Sequence, residues 1–262
     1  IISCIILQEM AARLGLITQK GLSEVIRSEL RNPFFRTLAI LLLFSAILLG
    51  NAAYEAGNIS GAVLGISAIL PAEVVTVGPV SLNPWSLLLG SLAFMLLYTG
   101  SYKLVERVLV GLVAVMSLCF LLTAILAAPD LFSLLRGLLV PSQSSAGILT
   151  VIALIGTTVV PYNLFLHASL VSEKWQKKED LKVVRKELVW AIVLGGVVSM
   201  AIVVTAAASG PTEVQNAADF AEGLEPVLGT YATWFIGFGL FAAGITSSIT
   251  APLAAAYVVS GC

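Results

Sequence analysis

The residues with the clearest chemical potential fall inside one apolar segment, 154–170, which reads LIGTTVVPYNLFLHASL. It contains the only histidine of the chain, His167, together with Gly156, Thr157, Pro161 and Asn163. Pro161 has no N–H and its ring clashes with the carbonyl four residues back, which frees the backbone carbonyls around Gly156 and Thr157. Such carbonyls can coordinate a cation where a membrane helix is broken. The structural alternative is an ordinary proline kink, because Gly and Pro are common in membrane helices.

A second polar group lies in an earlier apolar stretch. Glu55 is the one acid well inside a predicted span, and Asn51 and Asn58 flank it at helical spacing, so all three share one face. A carboxylate inside a bilayer is costly and usually marks an ion or proton route. The alternative is a protonated or hydrogen-bonded structural glutamate. His167 can likewise relay protons near neutral pH or hydrogen-bond a neighbouring helix.

Composition determines the class of protein that positions these residues. Hydrophobic residues make up 58% of the 262 residues, charged residues 11%, and the mean hydropathy is +1.01. A soluble domain carries about 25% charged residues, so we predict an all-α polytopic membrane protein. The sequence has no phosphate-binding loop, catalytic triad or zinc-binding cluster. We therefore expect neither an enzyme nor a cofactor, and no nucleic-acid partner.

The chain is predicted to be a single transmembrane domain, 1–262. The predicted spans are a partial one at 1–18, then 38–70, 85–100, 104–127, 147–171, 188–209 and 231–261. A short amphipathic connector follows the 104–127 span, and a surface helix is expected at 217–228. Because the chain does not begin with Met and is apolar at both ends, we expect it to be a fragment of a longer protein.

Orientation follows from the distribution of basic residues. Of the fourteen Lys and Arg residues, all except Arg136 fall in loops on one side of these spans. Basic loops stay in the cytoplasm, so the broken span runs from outside to inside. We expect a multi-pass protein of the plasma membrane with lipid as its surroundings and with its basic loops cytoplasmic.

Three stretches together resemble the Nramp (natural resistance-associated macrophage protein) family of proton-coupled divalent metal transporters. QEMAARLGLITQKGLSEVIR is similar to the end of the family's second helix, IGTTVVPYNLFLHASLV to its sixth helix, and GLFAAGITSSIT to its eighth. The resemblance implies the LeuT-type inverted-repeat fold, with this chain running from the end of helix two to helix eight. It also implies a divalent metal ion as substrate, with protons as the coupling ion.

Several positions depart from the family pattern. Val160 stands where the family has a metal-coordinating methionine, Tyr162 where it has the first histidine, and Ala52 where it has an aspartate. Other positions match: His167 corresponds to the second histidine, and Glu55 to the glutamate of the third helix. Thr157 falls where the family offers a carbonyl to the metal.

These departures bear on the substrate. A thioether favours transition metals over magnesium and calcium, which prefer oxygen ligands. Without it, we expect a site built from the carbonyls of Gly156 and Thr157, the Asn163 amide, and groups of a first helix before Ile1. Manganese and magnesium are both candidates for the transported ion. Loss of the aspartate and one histidine weakens strict proton coupling and leaves Glu55 and His167 as the proton path.

Two other functions fit part of the sequence. A transporter of the same fold could carry a small organic substrate such as an amino acid, since half-helix N-termini bind carboxylates. A membrane scaffold or sensor that has lost transport is the third alternative. The helix break and the intramembrane Glu55 argue against it.

Overall fold

The structure is a computed structural model that describes residues 1–77, 80–98, 102–140, 148–208 and 217–262. Its α-helices, numbered in chain order, are α1 (Ile2–Thr18), α2 (Leu22–Glu29), α3 (Pro33–Ile69), α4 (Pro84–Tyr98), α5 (Tyr102–Leu126), α6 (Leu131–Leu139), α7 (Ile148–Thr158), α8 (Pro161–Lys174), α9 (Leu181–Ala208), α10 (Ala217–Leu228) and α11 (Ala232–Gly261). Short 3-10 turns lie at Lys178–Asp180 and Gly229–Tyr231. The predicted all-α class is confirmed.

Four helical segments of the described chain are long and apolar enough to cross a membrane: Pro33–Ile69, Val151–Lys174, Lys178–Ala207 and Gly229–Gly261. At 1.5 Å per residue, the 37 residues of α3 extend about 55 Å, well beyond a hydrocarbon core of about 30 Å. Two shorter apolar helices are Pro84–Tyr98 and Val110–Leu126. The predicted span ends at residues 99–100, 147 and 209 lie outside the described residues.

A β-hairpin is present that is not among the elements predicted from the sequence. Strands β1 (Val75–Val77) and β2 (Val80–Leu82) form an antiparallel hairpin between α3 and α4, with Val75 opposite Leu82 and Thr76 opposite Ser81. Next to it, the indole Nε1 of Trp85 donates a hydrogen bond of 2.9 Å to the carbonyl of Leu70. The hairpin therefore connects α3 to α4, and the Trp85–Leu70 hydrogen bond links the end of α3 to the start of α4.

The helices form two compact units. The first comprises Ile1–Ala53, Ser142–Gly196 and Ala251–Cys262. Its core is a cluster of buried side chains from α1, α8 and α9, namely Ala12, Leu16, Val171, Val184 and Leu188. At the end of α1, Gln19 adopts a left-handed conformation (φ 55°), and its N–H donates to the carbonyl of Gly15 at 2.9 Å. This cap ends α1 and turns the chain towards α2.

The second unit comprises Tyr54–Pro141 and Val197–Thr250. One of its cores joins α3, α4 and α11 through Ala62, Leu89, Ala93, Ile245 and Ile249. Another joins α5, α9, α10 and α11 around Phe120, with Ala201, Ala221, Leu224, Leu228, Ala232 and Ile236. Small residues bring the helices close: Gly65 lies against the backbone of Phe241, and Gly244 against that of Ala62.

Candidate functional site

The break predicted from Pro161 separates α7 from α8. The first helix ends at Thr158, and Val160 then adopts an extended conformation (φ −75°, ψ 127°) as the N-cap of α8. Pro161 occupies the first turn of α8, where a missing N–H costs nothing and the fixed φ suits the helix start. Because Pro161 has no N–H, the Thr157 carbonyl receives no hydrogen bond from the residue four positions ahead. The sequence therefore places two helix ends inside one apolar segment.

Beside the start of α8, the first unit contains a cavity of about 250 Å³. Three polar side chains, Gln8, Asn163 and His167, line it together with Leu166, Leu170, Leu188, Ala191 and Ile192. The polar groups come from α1 and α8, whereas α9 contributes only apolar side chains. The cavity therefore has one polar wall and a mainly apolar remainder.

Two atoms on the polar wall are buried without a hydrogen-bond partner in the described part of the chain. They are Oε1 of Gln8 and Nε2 of His167. A buried polar atom left unpaired costs roughly 1–3 kcal/mol, so a native protein usually satisfies it with water, an ion or a ligand. The cavity is thus suited to a small polar occupant.

Gln8 was not predicted as a site residue. A signal for it was present, since Gln8, Ala12 and Leu16 repeat at intervals of four and share one face of α1. Ala12 and Leu16 are each only 1% exposed. A polar residue that continues a buried stripe of this kind faces the protein interior.

The predicted metal ligands of α7 do not belong to the cavity lining formed by the described residues. Gly156 and Thr157 are both exposed, and the cavity lining among the described residues does not include them. The Thr157 hydroxyl donates to the carbonyl of Leu154 at 3.1 Å, within its own helix. Asn163 does line the cavity, and its backbone N–H donates to the carbonyl of Val160 at 3.1 Å.

The two residues that replace the family's metal ligands lie at the start of α8. Val160 is 5% exposed and Tyr162 is 9% exposed, so both are buried in the first unit. Val160 offers only a hydrocarbon side chain at the helix break. The polar side chains of α8 next to this break are those of Asn163 and His167, which line the cavity.

The other predicted proton-path residue belongs to the second unit. The carboxyl of Glu55 on α3 faces the side chains of Asn58, one turn further on, and of Ser248 on α11. Glu55 Oε2, Asn58 Nδ2 and Ser248 Oγ are buried without a partner that meets full hydrogen-bond geometry in the described chain, so the three side chains interact through longer or bent polar contacts. The three side chains therefore form a polar cluster within the second unit.

Asn51, the third residue on the predicted polar face of α3, has a structural role instead. It is 7% exposed, and its amide Nδ2 donates to the carbonyl of Ala251 on α11 at 2.8 Å. This bond satisfies a buried amide and a helix carbonyl together. Asn51 therefore fixes the position of α3 against the end of α11 in the first unit.

Conventional metal-binding clusters are absent from the described residues. No group of three or more His, Cys, Asp or Glu side chains is placed to hold a metal ion there. Cys4, Cys119 and Cys262 are free thiols.

The chain resembles known membrane transporters over nearly its full length. It is 27% identical to the divalent metal cation transporter MntH of Bradyrhizobium diazoefficiens, covering 98% of this chain and 58% of the relative. It is 28% identical to the divalent metal cation transporter MntH 1 of Pseudomonas aeruginosa, covering 99% of this chain and 60% of the relative. The chain thus spans about three fifths of the length of these relatives.

Solved structures give the same fold. Two mutant forms of the manganese transporter of Eremococcus coleocola superpose with a TM-score of 0.69 at 21% identity, covering 98% of this chain and 56% of theirs. The fold is therefore the LeuT-type transporter fold, and the protein is an integral membrane protein. The model of the family described as natural resistance-associated macrophage protein-like matches residues 1–262. The chain belongs to the Nramp family.

Proposed function

We propose that this chain forms the central part of a secondary-active transporter of divalent metal ions, either manganese or magnesium. The observation that carries the proposal is the break between α7 and α8, which opens beside a cavity lined by Asn163 and His167. Discontinuous helices of this kind hold substrates and coupling ions in transporters. The relatives named divalent metal cation transporter support the class of substrate.

The metal site would consist of oxygen ligands. We assign the carbonyls of Gly156 and Thr157 and the side-chain oxygen of Asn163 to it. Val160 supplies no thioether, so the preference for soft transition metals is reduced relative to that of a methionine site. The ion would pass the helix break by alternating access, in which a bundle that includes the broken span rocks against a scaffold.

Glu55 and His167 would move protons. Each has a buried atom without a protein partner in the described chain, and each can change its charge. The protein would lie in the plasma membrane with its basic loops in the cytoplasm, where they attract anionic lipid headgroups. Transport needs no cofactor, because the metal ion is itself the substrate.

A second function is favoured by one feature of the cavity. Five of its eight lining residues are apolar, which suits the hydrocarbon part of a small organic molecule better than a hydrated ion. A transporter of an amino acid or a similar compound is therefore the competing proposal. The organic substrate would place its apolar part against Leu188, Ala191 and Ile192 and its polar part against Gln8, Asn163 and His167.

Uptake by proteoliposomes that contain the full-length protein tests both proposals. We expect manganese uptake that excess magnesium suppresses, because oxygen ligands discriminate weakly between these ions. Asn163→Ala should reduce uptake at least tenfold, whereas Ser172→Ala, whose hydroxyl bonds the carbonyl of Ser169 in the same helix, should not change it. Uptake of neither ion, together with amino-acid uptake independent of metal, would replace the metal proposal by the organic one.

A further inference from the structure

One face of α9 changes along its length from basic to aromatic to apolar. Lys182, Lys186 and Trp190 follow one another at intervals of four residues, so they lie on the same face of the helix. All three side chains are exposed, and Trp190 keeps 57% of its surface accessible. The next exposed residues on this face, Val193 and Leu194, are apolar. A helix shows this order where it leaves a bilayer, because Trp lies at the interface and lysine reaches beyond it.

The length of the uncharged part of α9 fixes the depth of Trp190. The segment from Leu188 to Ala208 contains no charged residue. At 1.5 Å per residue it extends about 30 Å, which matches a hydrocarbon core of about 30 Å. Trp190 therefore lies within one turn of the edge of the core. Lys186 lies one turn further out, and each interfacial layer is about 5–8 Å thick, so its ammonium group is at the depth of the headgroup phosphates.

The basic residues at the start of α9 differ in whether a protein acid neutralises them. Arg185, beside the face just described, is paired with Glu9 of α1. In contrast, Lys182 and Lys186 form no ion pair with the residues that the structure describes. Two positive charges are therefore available to a ligand directly above Trp190.

We propose that Lys182 and Lys186 bind the headgroup of an anionic phospholipid whose acyl chain lies beside Trp190. The two ammonium groups complement the net negative charge of such a headgroup, and each adds to the attraction. A zwitterionic headgroup has no net charge and gains less. Further along the helix, Val193 and Leu194 contact the acyl chain. The site is more specific than a general attraction of basic loops to the membrane, because headgroup and acyl chain are both in contact.

A lipid bound at this face would stabilise the packing of α9. Val184 and Leu188 lie on the opposite face of the same turns, and they belong to the core shared with α1 and α8. A headgroup held by Lys182 and Lys186 would resist movement of α9 along its axis and so preserve these core contacts. Lipid binding here requires that α9 spans the membrane, but it does not depend on which substrate the protein carries.

Fluorescence quenching in proteoliposomes of the full-length protein tests the site. The bilayer contains phosphatidylcholine with a minor fraction of phosphatidylglycerol. Bromine near the headgroup end of the acyl chain is carried either by the phosphatidylglycerol or by an equal amount of the phosphatidylcholine. Bromine quenches the indoles that it contacts, and subtraction of the Trp190→Phe signal isolates Trp190. We expect the anionic lipid to quench Trp190 about twofold more strongly or better, and added salt to reduce the difference.

Variants assign the preference to the two lysines. The double variant Lys182→Gln/Lys186→Gln should show equal quenching by the two lipids, because the charges that distinguish them are gone. The matched control, Lys20→Gln/Arg31→Gln, removes two other exposed basic residues and should keep the difference. All four side chains are exposed and form no ion pair within the described part of the chain, so both variants should fold as the wild type does.

Three outcomes would overturn the site. The first is equal quenching of the wild type by the two lipids. The second is loss of the difference in both double variants, which would reflect the overall charge of the protein. The third is no quenching of Trp190 by either lipid, because protein rather than lipid would then cover this face. Loss of manganese uptake with the lipid preference intact would contradict the transport proposal alone.

Discussion

Gly15 of α1 lies directly against the backbone carbonyl of Ala168 in α8. A methyl group at Gly15 would occupy the space of that carbonyl, so the two helices can approach only because residue 15 has no side chain. This contact positions Gln8 and His167, which lie on the same two helices and face the same cavity. The packing of α1 against α8 therefore sets the distance between Gln8 and His167 in the cavity.

We expect Gly15→Ala to lower the free energy of unfolding by about 1–3 kcal/mol, the usual cost of overpacking a well-packed contact. Backbone atoms cannot yield as a flexible side chain does, so α1 must shift as a whole. Thermal unfolding in detergent measures the loss. Gly50→Ala is the matched control, because nothing lies within 4 Å of a side chain built there. Equal stabilities of the two variants would contradict the proposed contact.

An ion pair also connects α1 to α9. Arg185 donates from Nε to Oε1 of Glu9 at 2.7 Å, and Arg13 approaches the other carboxylate oxygen at 3.6 Å. The Arg185 side chain is 46% exposed, so solvent screens the pair. We expect Arg185→Ala to cost about 0.2–1 kcal/mol, and less at high salt. A double-mutant cycle with Glu9→Gln at low and high salt measures the coupling, and a coupling that salt does not weaken would rule out this account.

The N-terminal cap of the connector helix α6 depends on the charge of Asp130. Asp130 caps it by accepting hydrogen bonds from the backbone N–H groups of Phe132 and Ser133 at 3.3 and 3.0 Å. Hydrogen bonding by the Ser133 side chain, followed by these backbone bonds, lowers the pKa of Asp130 below its ordinary value. The cap is therefore fully present above the pKa of the unfolded chain, near 3.9, and is lost as the pH falls through the lower folded value.

We expect Asp130→Ala to increase amide hydrogen exchange in the first turn of α6 at pH 7, because two backbone donors lose their acceptor. Asp130→Asn should preserve most of the protection, since its amide oxygen also caps. Exchange at neutral pH, followed by mass spectrometry, compares the three proteins. If alanine and aspartate protected these amides equally, the cap would contribute nothing to α6.

Structural features that depend on residues close together in the sequence can be predicted from it, whereas features that depend on distant residues cannot. The break at Pro161 follows from covalent geometry, because a residue without an N–H cannot continue a helix normally. The surface helix α10 follows from an amphipathic run between two apolar segments. In contrast, only a short stretch of alternating residues, VTVGPVSL, indicates the β1–β2 hairpin. The long apolar runs on either side of it dominate the hydropathy pattern.

The candidate site is less predictable, since it depends on which helix faces meet. Glu55 and His167 stand out as rare ionisable groups in apolar segments. Gln8 and Ser248 do not, because a polar residue at a helix interface looks the same in sequence as one that faces lipid or water. Only the packing of α1 on α8, and of α11 on α3, shows that these side chains face Asn163 and Glu55 respectively.

Val160 offers the most direct test of the proposed ion site. It is buried at the N-cap of α8, where a thioether would lie next to the helix break. A soft sulfur ligand favours manganese over magnesium. We therefore expect Val160→Met to raise the manganese preference about tenfold, equivalent to roughly 1.4 kcal/mol, measured as the magnesium concentration that halves manganese uptake.

Val160→Leu is the matched control for that experiment. Leucine and methionine have similar volumes, so both variants disturb the packing beside Tyr162 to a similar extent, but only methionine brings a sulfur atom. If leucine changes the magnesium sensitivity as much as methionine does, the effect arises from volume rather than ligand chemistry. In that case the side chain of residue 160 does not contact the ion, and the proposed ligands are limited to the carbonyls of Gly156 and Thr157 and the side chain of Asn163.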